Sequence, residues 1–244
     1  MGKPLISVIT VVYNAYSTLE ATIKSVLDQN RELVEYWIID GGSTDGSIEL
    51  IRRYENDLAG WISEPDKGIY DAMNKGIDRA NGDWIYFLGG DDTLRPDIVS
   101  QVKAELSKNY IIVFGDVLFD NGHRMRSFLG PRTIFQNTIH HQSAFYHKSI
   151  FNNYRYDPTL TIASEYDIHL KLYILKSPVC YVPIIIANCA VGGASSDLSQ
   201  SLKETNRIRM RYVAGNWKNK ILSVSLALYY AQKRLRYFLY GHRV

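Results

Sequence analysis

Apolar and polar positions switch repeatedly between two periods along the first half of the chain. Leu5 to Tyr13 (LISVITVVY) is a nearly unbroken β-rich run, the pattern of a strand covered on both faces. Thr18 to Gln29 then puts Leu19, Ile23, Val26 and Leu27 at helical spacing, and Ser17 with Glu20 three residues later has the form of a capping box. Glu35 to Asp40 (EYWIID) reads as a second strand and Ser47 to Tyr54 as a helix. Trp61 to Glu64 is a short strand, and Ile69 to Ala80 a helix with Ile69, Ala72, Met73, Ile77 and Ala80 on one face. Trp84 to Leu88 is a core strand and Pro96 to Leu106 a further helix. Strands alternating with helices predict βαβ units, hence an α/β fold with a mostly parallel, Rossmann-like sheet flanked by helices.

The second half changes character. Tyr110 to Asp120 is a strong strand, Asn121-Gly122 a hairpin turn, and Arg124 to Leu129 can pair back, an antiparallel addition to a parallel sheet. Asp167 to Leu175 is helical, and Val179 to Ile186 is apolar but interrupted by Pro183. Gly192 to Ser196 has the composition of a loop, either a plain connector or a lid able to close over a site. Asp197 to Val213 and Lys218 to Tyr240 read as two helices parted near Gly215. This organisation implies a main domain over 1–196 and a helical, basic segment over 197–244.

At 244 residues and 46% hydrophobic content, the chain can bury one large core, with or without an appendage. No run approaches the ~20 apolar residues that span a bilayer. A strand begins within a few residues of Met1, which leaves no room for a signal peptide. Cys180 and Cys189 lack metal-ligand spacing and read as free thiols, so a cytoplasmic setting is expected. The formal charge of +3 is unevenly spread: from Lys203 on there are ten basic residues and one acid, a net +9, against −6 for the rest. A basic, tyrosine-rich tail on an acidic body suits an anionic partner or, equally, a helix packed on the body or on a second subunit. No DNA- or RNA-binding motif accompanies the charge, so no nucleic acid is expected.

The chemistry concentrates where strands end. Gly89-Gly90-Asp91-Asp92 follows the Trp84 strand, and ligands of open α/β sheets sit beyond such carboxyl ends. Two adjacent carboxylates repel each other, and a hard divalent ion with phosphate oxygens relieves that; the plainer alternative is a capped helix start before Pro96. Asp40 at another strand end can contact a nucleobase or ribose, or simply cap a helix. No G-x-G-x-x-G follows the first strand and no Walker lysine motif is present.

Four motifs in order carry a resemblance: ISVITVVYN at 6–14, IIDGGSTDGS at 38–47, SEPDKGIYDAMNKG at 63–76 and NGDWIYFLGGDD at 81–92. Together they resemble the nucleotide-diphospho-sugar half of family 2 glycosyltransferases of the GT-A fold, strongly over about 5–120 and more loosely over 138–176. The resemblance implies a donor half over about 1–120 and an acceptor half over about 121–196. It places Tyr13, Asp40, Asp66, Lys67, Asn74 and Asp91 on the donor side and gives Asp92 to a divalent metal, Mg²⁺ or Mn²⁺, on the diphosphate. Met73 and Gly41 depart from an arginine and an aspartate common at those positions. His141 and Gln142 match a pair that lines the cleft floor, though a structural histidine fits as well. A carboxylate at Glu165-Tyr166-Asp167 is expected to serve as general base, Glu165 ahead of Asp167, with favourable helix-dipole placement as the plainer account. Arg124, Arg126 and Arg132 are either a diphosphate cluster on the acceptor side or exposed hairpin arginines.

The implied activity is inverting, metal-dependent transfer of a sugar from a nucleotide-diphosphate sugar to a saccharide or lipid-linked acceptor, as in polysaccharide biosynthesis. A UDP-sugar is the first donor to consider, and attachment at the inner face of the plasma membrane would suit the tail. The alternative from another class is a non-catalytic sugar-nucleotide-binding or assembly subunit. A nucleotidyltransferase would need a glycine-rich, arginine-containing loop after the first strand, which Val12 to Ala15 does not supply.

Overall fold

The computed structural model describes residues 3–191, 198–213 and 215–240, so the loop expected over Gly192 to Ser196 lies outside the described residues. β1 (Ile6–Val12) is buried along its whole length and lies between two parallel neighbours, β2 (Val34–Asp40) and β4 (Trp84–Gly89). β3 (Gly60–Ser63) extends the sheet beyond β2. The chain thus builds outward on one side of β1 and then returns to the other. That reversal opens a crevice beyond the carboxyl ends of β1, β2 and β4.

Two-residue alternation decides which side of the sheet each residue faces. Ile6, Val8, Val12, Trp84, Tyr86 and Leu88 pack with helices α1 (Tyr16–Leu27), α2 (Ser47–Arg53) and α4 (Ile98–Leu106). Ile9, Val11, Ile85 and Phe87 pack on the other face with α3 (Ile69–Arg79) and α5 (Ser164–Ile174). The result is a sheet with helices on both faces, as the alternation of elements implied.

Antiparallel pieces complete the sheet. β8 (Ala144–His147) is inserted between β4 and β6 (Ile112–Phe119), antiparallel to both. β9 (Val179–Cys189) runs parallel to β6, and β5 (Thr93–Leu94) pairs antiparallel with the end of β9. β7 (Arg124–Met125) pairs back on β6. The strand order is β3-β2-β1-β4-β8-β6-β9-β5.

Several boundaries differ from the sequence expectation. Helix α1 starts at Tyr16 with Ala15 as its cap, and no side chain caps it. Glu20 instead accepts the Tyr54 hydroxyl and pairs with Lys24, so the capping box does not form. Pro183 does not end β9: Tyr181 pairs with Phe114 and Ile185 with Asp116, so a bulge of three residues faces Gly115 and takes up the missing donor. Only the first two residues of the Arg124 to Leu129 stretch pair with β6. The run after Asp92 forms β5 rather than a helix cap, and α4 begins two residues beyond Pro96.

The last two helices are α6 (Leu198–Tyr212) and α7 (Asn216–Tyr240). Part of their positive charge is neutralised inside the molecule. Arg211 pairs with Asp157 and Asp167 at 2.8 Å each, and Arg207 lies 3.4 Å from Asp157. Arg209 is fully buried; its guanidinium donates to the Phe135 carbonyl and to Ser223 of α7. Glu204 of α6 accepts the backbone N–H groups of Thr161, Ile162 and Ala163, which ties the loop before α5 to this helix.

Candidate active site

A cavity of about 480 Å³ opens at the carboxyl end of the sheet. Asp91, Asp92, His141, Gln142 and Glu165 all line it, contributed by three different segments of the chain. The tip that carries the two aspartates is held from below by α1. Thr22 donates to the Asp92 carbonyl at 2.7 Å, and Thr18 to the Gly90 carbonyl at 2.8 Å. Gly89 must be small, because a Cβ there would lie 2.7 Å from Asp92 Oδ2 and 2.9 Å from Asp91 Oδ1.

Asp91 is exposed, whereas Asp92 is buried beneath it. Gln142 Nε2 donates to Asp92 Oδ2 at 2.8 Å, and the Ala190 N–H to Oδ1 at 3.1 Å. The Cys189 thiol also donates to this carboxylate, and its own pKa is pushed up by burial and by the charge it faces. The β5–β9 pairing explains the arrangement: it brings residues 189 and 190 across to a carboxylate 97 to 98 positions earlier. Burial first, and Asp91 second, raise the pKa of Asp92 to about 6, against the pull of its donors.

Among the described residues, no group of three or more His, Cys, Asp or Glu side chains forms a complete metal cage. Two neighbouring carboxylates facing one cavity nevertheless fit a hard divalent cation. Such an ion takes one or two protein carboxylates and fills its other positions with phosphate oxygens and water. Burial and the neighbouring Asp91 both disfavour the ionised form of Asp92, and a bound cation would favour it.

Glu165 stands on the first turn of α5, on another wall of the same cavity. The Tyr70 hydroxyl of α3 donates to its Oε2. Desolvation lifts the pKa of Glu165 to about 7, and the Tyr70 hydrogen bond acts in the opposite direction. Asp167, its alternative as base, does not line the cavity. Two positions along a helix turn a side chain by about 200°, so Asp167 faces α6, where Arg211 holds its Oδ2. The structure therefore separates two carboxylates that sequence spacing left as alternatives. It also shows α5 starting at Ser164 rather than Asp167, which puts both acids inside the first turn.

His141 begins a short 3-10 helix. Its ring stacks on Phe87 with centroids 5.1 Å apart. A buried chain of hydrogen bonds sets its tautomer. Asn137 Oδ1 accepts from the Ile139 N–H and faces His169 Nδ1 at 2.8 Å, which makes His169 Nδ1 a donor and Nε2 an acceptor. Tyr146 then donates to His169 Nε2 at 2.8 Å, and its oxygen is left to accept from His141 Nδ1 at 3.4 Å. Burial lowers the pKa of His141 and of His169 to about 3, so both rings are neutral.

Of the expected donor-side residues, Asp91 lines this cavity, whereas Tyr13, Asp40, Asp66, Lys67 and Asn74 do not. Asp40 is buried and its carboxylate accepts four hydrogen bonds: Gly42 N–H, Ser43 N–H and the Ser63 hydroxyl reach Oδ2, and the Ser43 hydroxyl reaches Oδ1. It shapes the Gly41 to Gly46 loop. Asn74 bridges the Tyr156 backbone through both its N–H₂ and its carbonyl, and so joins α3 to the segment before α5. Tyr13 is 68% exposed beyond β1. Asp66 and Lys67 form the turn before α3: Asp66 Oδ1 accepts the Gly68 N–H, and the Lys67 N–H donates to Asp71. A Cβ on Gly41 would lie 2.4 Å from Asp66 Oδ2, so a second aspartate at 41 would collide with Asp66. Each of the three hairpin-side arginines has a partner within the protein. Arg124 pairs with buried Asp116, Arg126 lies over the Tyr181 ring, and Arg132 lies over Tyr229 and donates to its hydroxyl.

Sequence reasoning missed Tyr70, Cys189 and the α7 wall formed by Leu226 and Tyr230. A tyrosine on the buried face of α3 reads as core, and only the approach of α5 gives it a carboxylate partner.

The sheet has its switch point at β1, with a carboxylate pair at a strand tip and a separate acid lining the same cavity. Residues 7–170 match the profile of Glycosyl transferase family 2, and the chain belongs to that family. A protein of Mycobacterium tuberculosis described as an uncharacterized glycosyltransferase is 33% identical over 197 residues, covering 73% of this chain and 72% of its own. A PGL/p-HBAD biosynthesis glycosyltransferase of Mycobacterium bovis is 29% identical over 209 residues, covering 81% and 82%. Among solved structures, S. aureus TarS in complex with UDP-GlcNAc matches with a TM-score of 0.68 at 15% identity, over 91% of this chain and 71% of that one. The mannosyltransferase of Pyrobaculum calidifontis in complex with GDP-Man and Mn²⁺ matches with a TM-score of 0.66 at 16% identity, over 100% and 83%. At those identities the likeness is one of fold, the GT-A type.

Proposed function

We propose that this family 2 glycosyltransferase transfers a sugar from a nucleotide-diphosphate sugar to an acceptor hydroxyl with inversion, using Glu165 as general base and Asp92, with Asp91, to hold Mg²⁺ or Mn²⁺. The observation that carries the reading is that Asp92 and Glu165, 73 positions apart in sequence, line one cavity from different walls. When bound, the metal supplies positive charge against the departing diphosphate. The chain's own residues do the rest. Gln142 and the Ala190 N–H fix the Asp92 carboxylate in place. Glu165, with a pKa of about 7, is divided between its two forms at neutral pH, which suits a general base. It takes the proton of the acceptor hydroxyl as that oxygen bonds to the anomeric carbon. The bond from that carbon to the diphosphate breaks on the opposite side, and a single displacement inverts the centre.

On the donor side, Asp40 acts through the loop it holds, Asp66 and Lys67 border the base-side edge, and exposed Tyr13 covers the strand end. Asn74 serves by joining α3 to the wall that carries Glu165. The cavity's apolar side, with Phe119, Met125, Ile139 and Leu226, suits an acceptor saccharide attached to an apolar group. The test is a screen of labelled UDP- and GDP-sugars with Mg²⁺ or Mn²⁺, followed by variants under the best conditions. Asp92→Ala is expected to abolish transfer, and Glu165→Gln to keep donor binding while losing transfer. Near-normal turnover in Asp92→Ala rejects the metal role, and an inactive Asp167→Asn beside an active Glu165→Gln rejects the base.

A further inference from the structure

Helix α7 has two faces of opposite use. Leu226 is buried and lines the cavity, and Asn219 on the same side is buried, its amide donating to the Val213 carbonyl. On the far side, Trp217, Ile221, Val224 and Leu228 are 64%, 55%, 59% and 65% exposed. At 100° per residue their spacing of four, three and four confines them to an arc of about 60°, a straight stripe running about 17 Å along the helix. Large apolar side chains in an exposed row mark a surface that meets something.

Charge says what that is. From position 216 onward the sequence has Lys218, Lys220, Lys233, Arg234, Arg236 and Arg243, and no acid. Exposed Lys218 and Lys220 lie on either flank of the stripe, and the Lys218 ammonium is 5.7 Å from the Trp217 ring. On α6 the arginines have acidic or polar partners within the protein, whereas this segment contains no acid of its own. A second copy laid along the stripe would bring two acid-free basic helices together. Anionic lipid headgroups complement them. No described helix is long and apolar enough to cross a membrane, so the helix would lie in the interface plane.

We propose that the Trp217–Ile221–Val224–Leu228 face of α7 docks the protein on an anionic lipid surface. The site lining then lies behind that helix, within about one helix diameter, ~10 Å, of the interface. A lipid-linked acceptor could present its head group there without leaving the bilayer.

The full chain is mixed with vesicles of phosphatidylcholine alone, or with a third of the lipid replaced by phosphatidylglycerol, and sedimented without any sugar nucleotide. The expected result is co-sedimentation with the anionic vesicles only, reduced by high salt, with a blue shift of tryptophan emission as Trp217 enters the interface. Ile221→Ser, Val224→Ser and Leu228→Ser combined should lower the partition coefficient at least tenfold, given the apolar area withdrawn. Lys218→Glu with Lys220→Glu should do so through charge, and circular dichroism should show both variants folded. Failure to bind anionic vesicles, or equal binding by the stripe variant, overturns the proposal. So does a wild-type dimer in sedimentation velocity that the stripe variant lacks, if vesicles are not bound, since the occupant is then a second copy. Because no substrate is used, these outcomes are independent of the catalytic reading.

Discussion

Removing one oxygen atom from Tyr70 should move the pH dependence of transfer without disturbing the fold. Tyr70 is buried, its ring stacks 5.7 Å from that of Tyr156, and its hydroxyl donates to Glu165. Tyr70→Phe keeps the ring and deletes the donor. Burial already lifts Glu165 to about 7, and the hydroxyl is the largest influence holding it down. A hydrogen bond to a charged group contributes roughly 1.5–3 kcal/mol, which corresponds to about 1–2 pKa units. The sign is upward: losing a donor destabilises the carboxylate, so Glu165 keeps its proton to higher pH. At pH 7 the ionised fraction should fall from about half to about 1–9%, a loss of roughly 5- to 50-fold in turnover that recovers near pH 9. Two measurements check this: the acid limb of the pH–rate profile for whichever nucleotide sugar the wild type turns over, and the carboxyl ¹³C titration of Glu165, assigned by its absence in Glu165→Gln. An unchanged or lowered apparent pKa in Tyr70→Phe would refute the argument. Loss of activity at every pH would show that the hydroxyl positions substrate rather than tuning Glu165.

Gly89→Ala puts a methyl group against both aspartates and should lower transfer more than tenfold, while thermal melting shows only a small loss of stability. Gln142→Leu removes a donor from Asp92 and leaves that carboxylate less well held; Mn²⁺ titration in the presence of nucleoside diphosphate should show at least tenfold weaker binding. Glu204→Leu leaves three backbone N–H groups unpaired and should cost about 3 kcal/mol or more in urea unfolding. Burial pushes the pKa of Glu204 up, but those N–H groups and Gln200 outweigh it and the net shift is downward. Its contribution is therefore present above the unfolded pKa of about 4.5 and is lost as pH falls through the lower folded value, so the variant and the wild type should converge in stability in acid.

The order of strands and helices through β4, the position of Asp91 and Asp92 at a strand tip, and the family resemblance were all legible in the residues alone. These rest on local physics: alternation of period, glycines at turns and short-range motif spacing act within about ten positions of each other. The same locality explains the errors at the capping box and at Pro183, where hydrogen bonds from elsewhere in the fold decided the outcome. Only tertiary contact could separate Glu165 from Asp167, because which face of α5 meets the cavity depends on α3 and α6 packing on either side. Likewise, Asp40 gains a hydrogen bond from Ser63, which arrives from a different strand. Tyr70 gained its role from a carboxylate 95 positions away. The basic tail divided into internally paired arginines on α6 and an exposed apolar stripe on α7 because burial is set by the neighbours that cover a helix, and its own sequence does not name them.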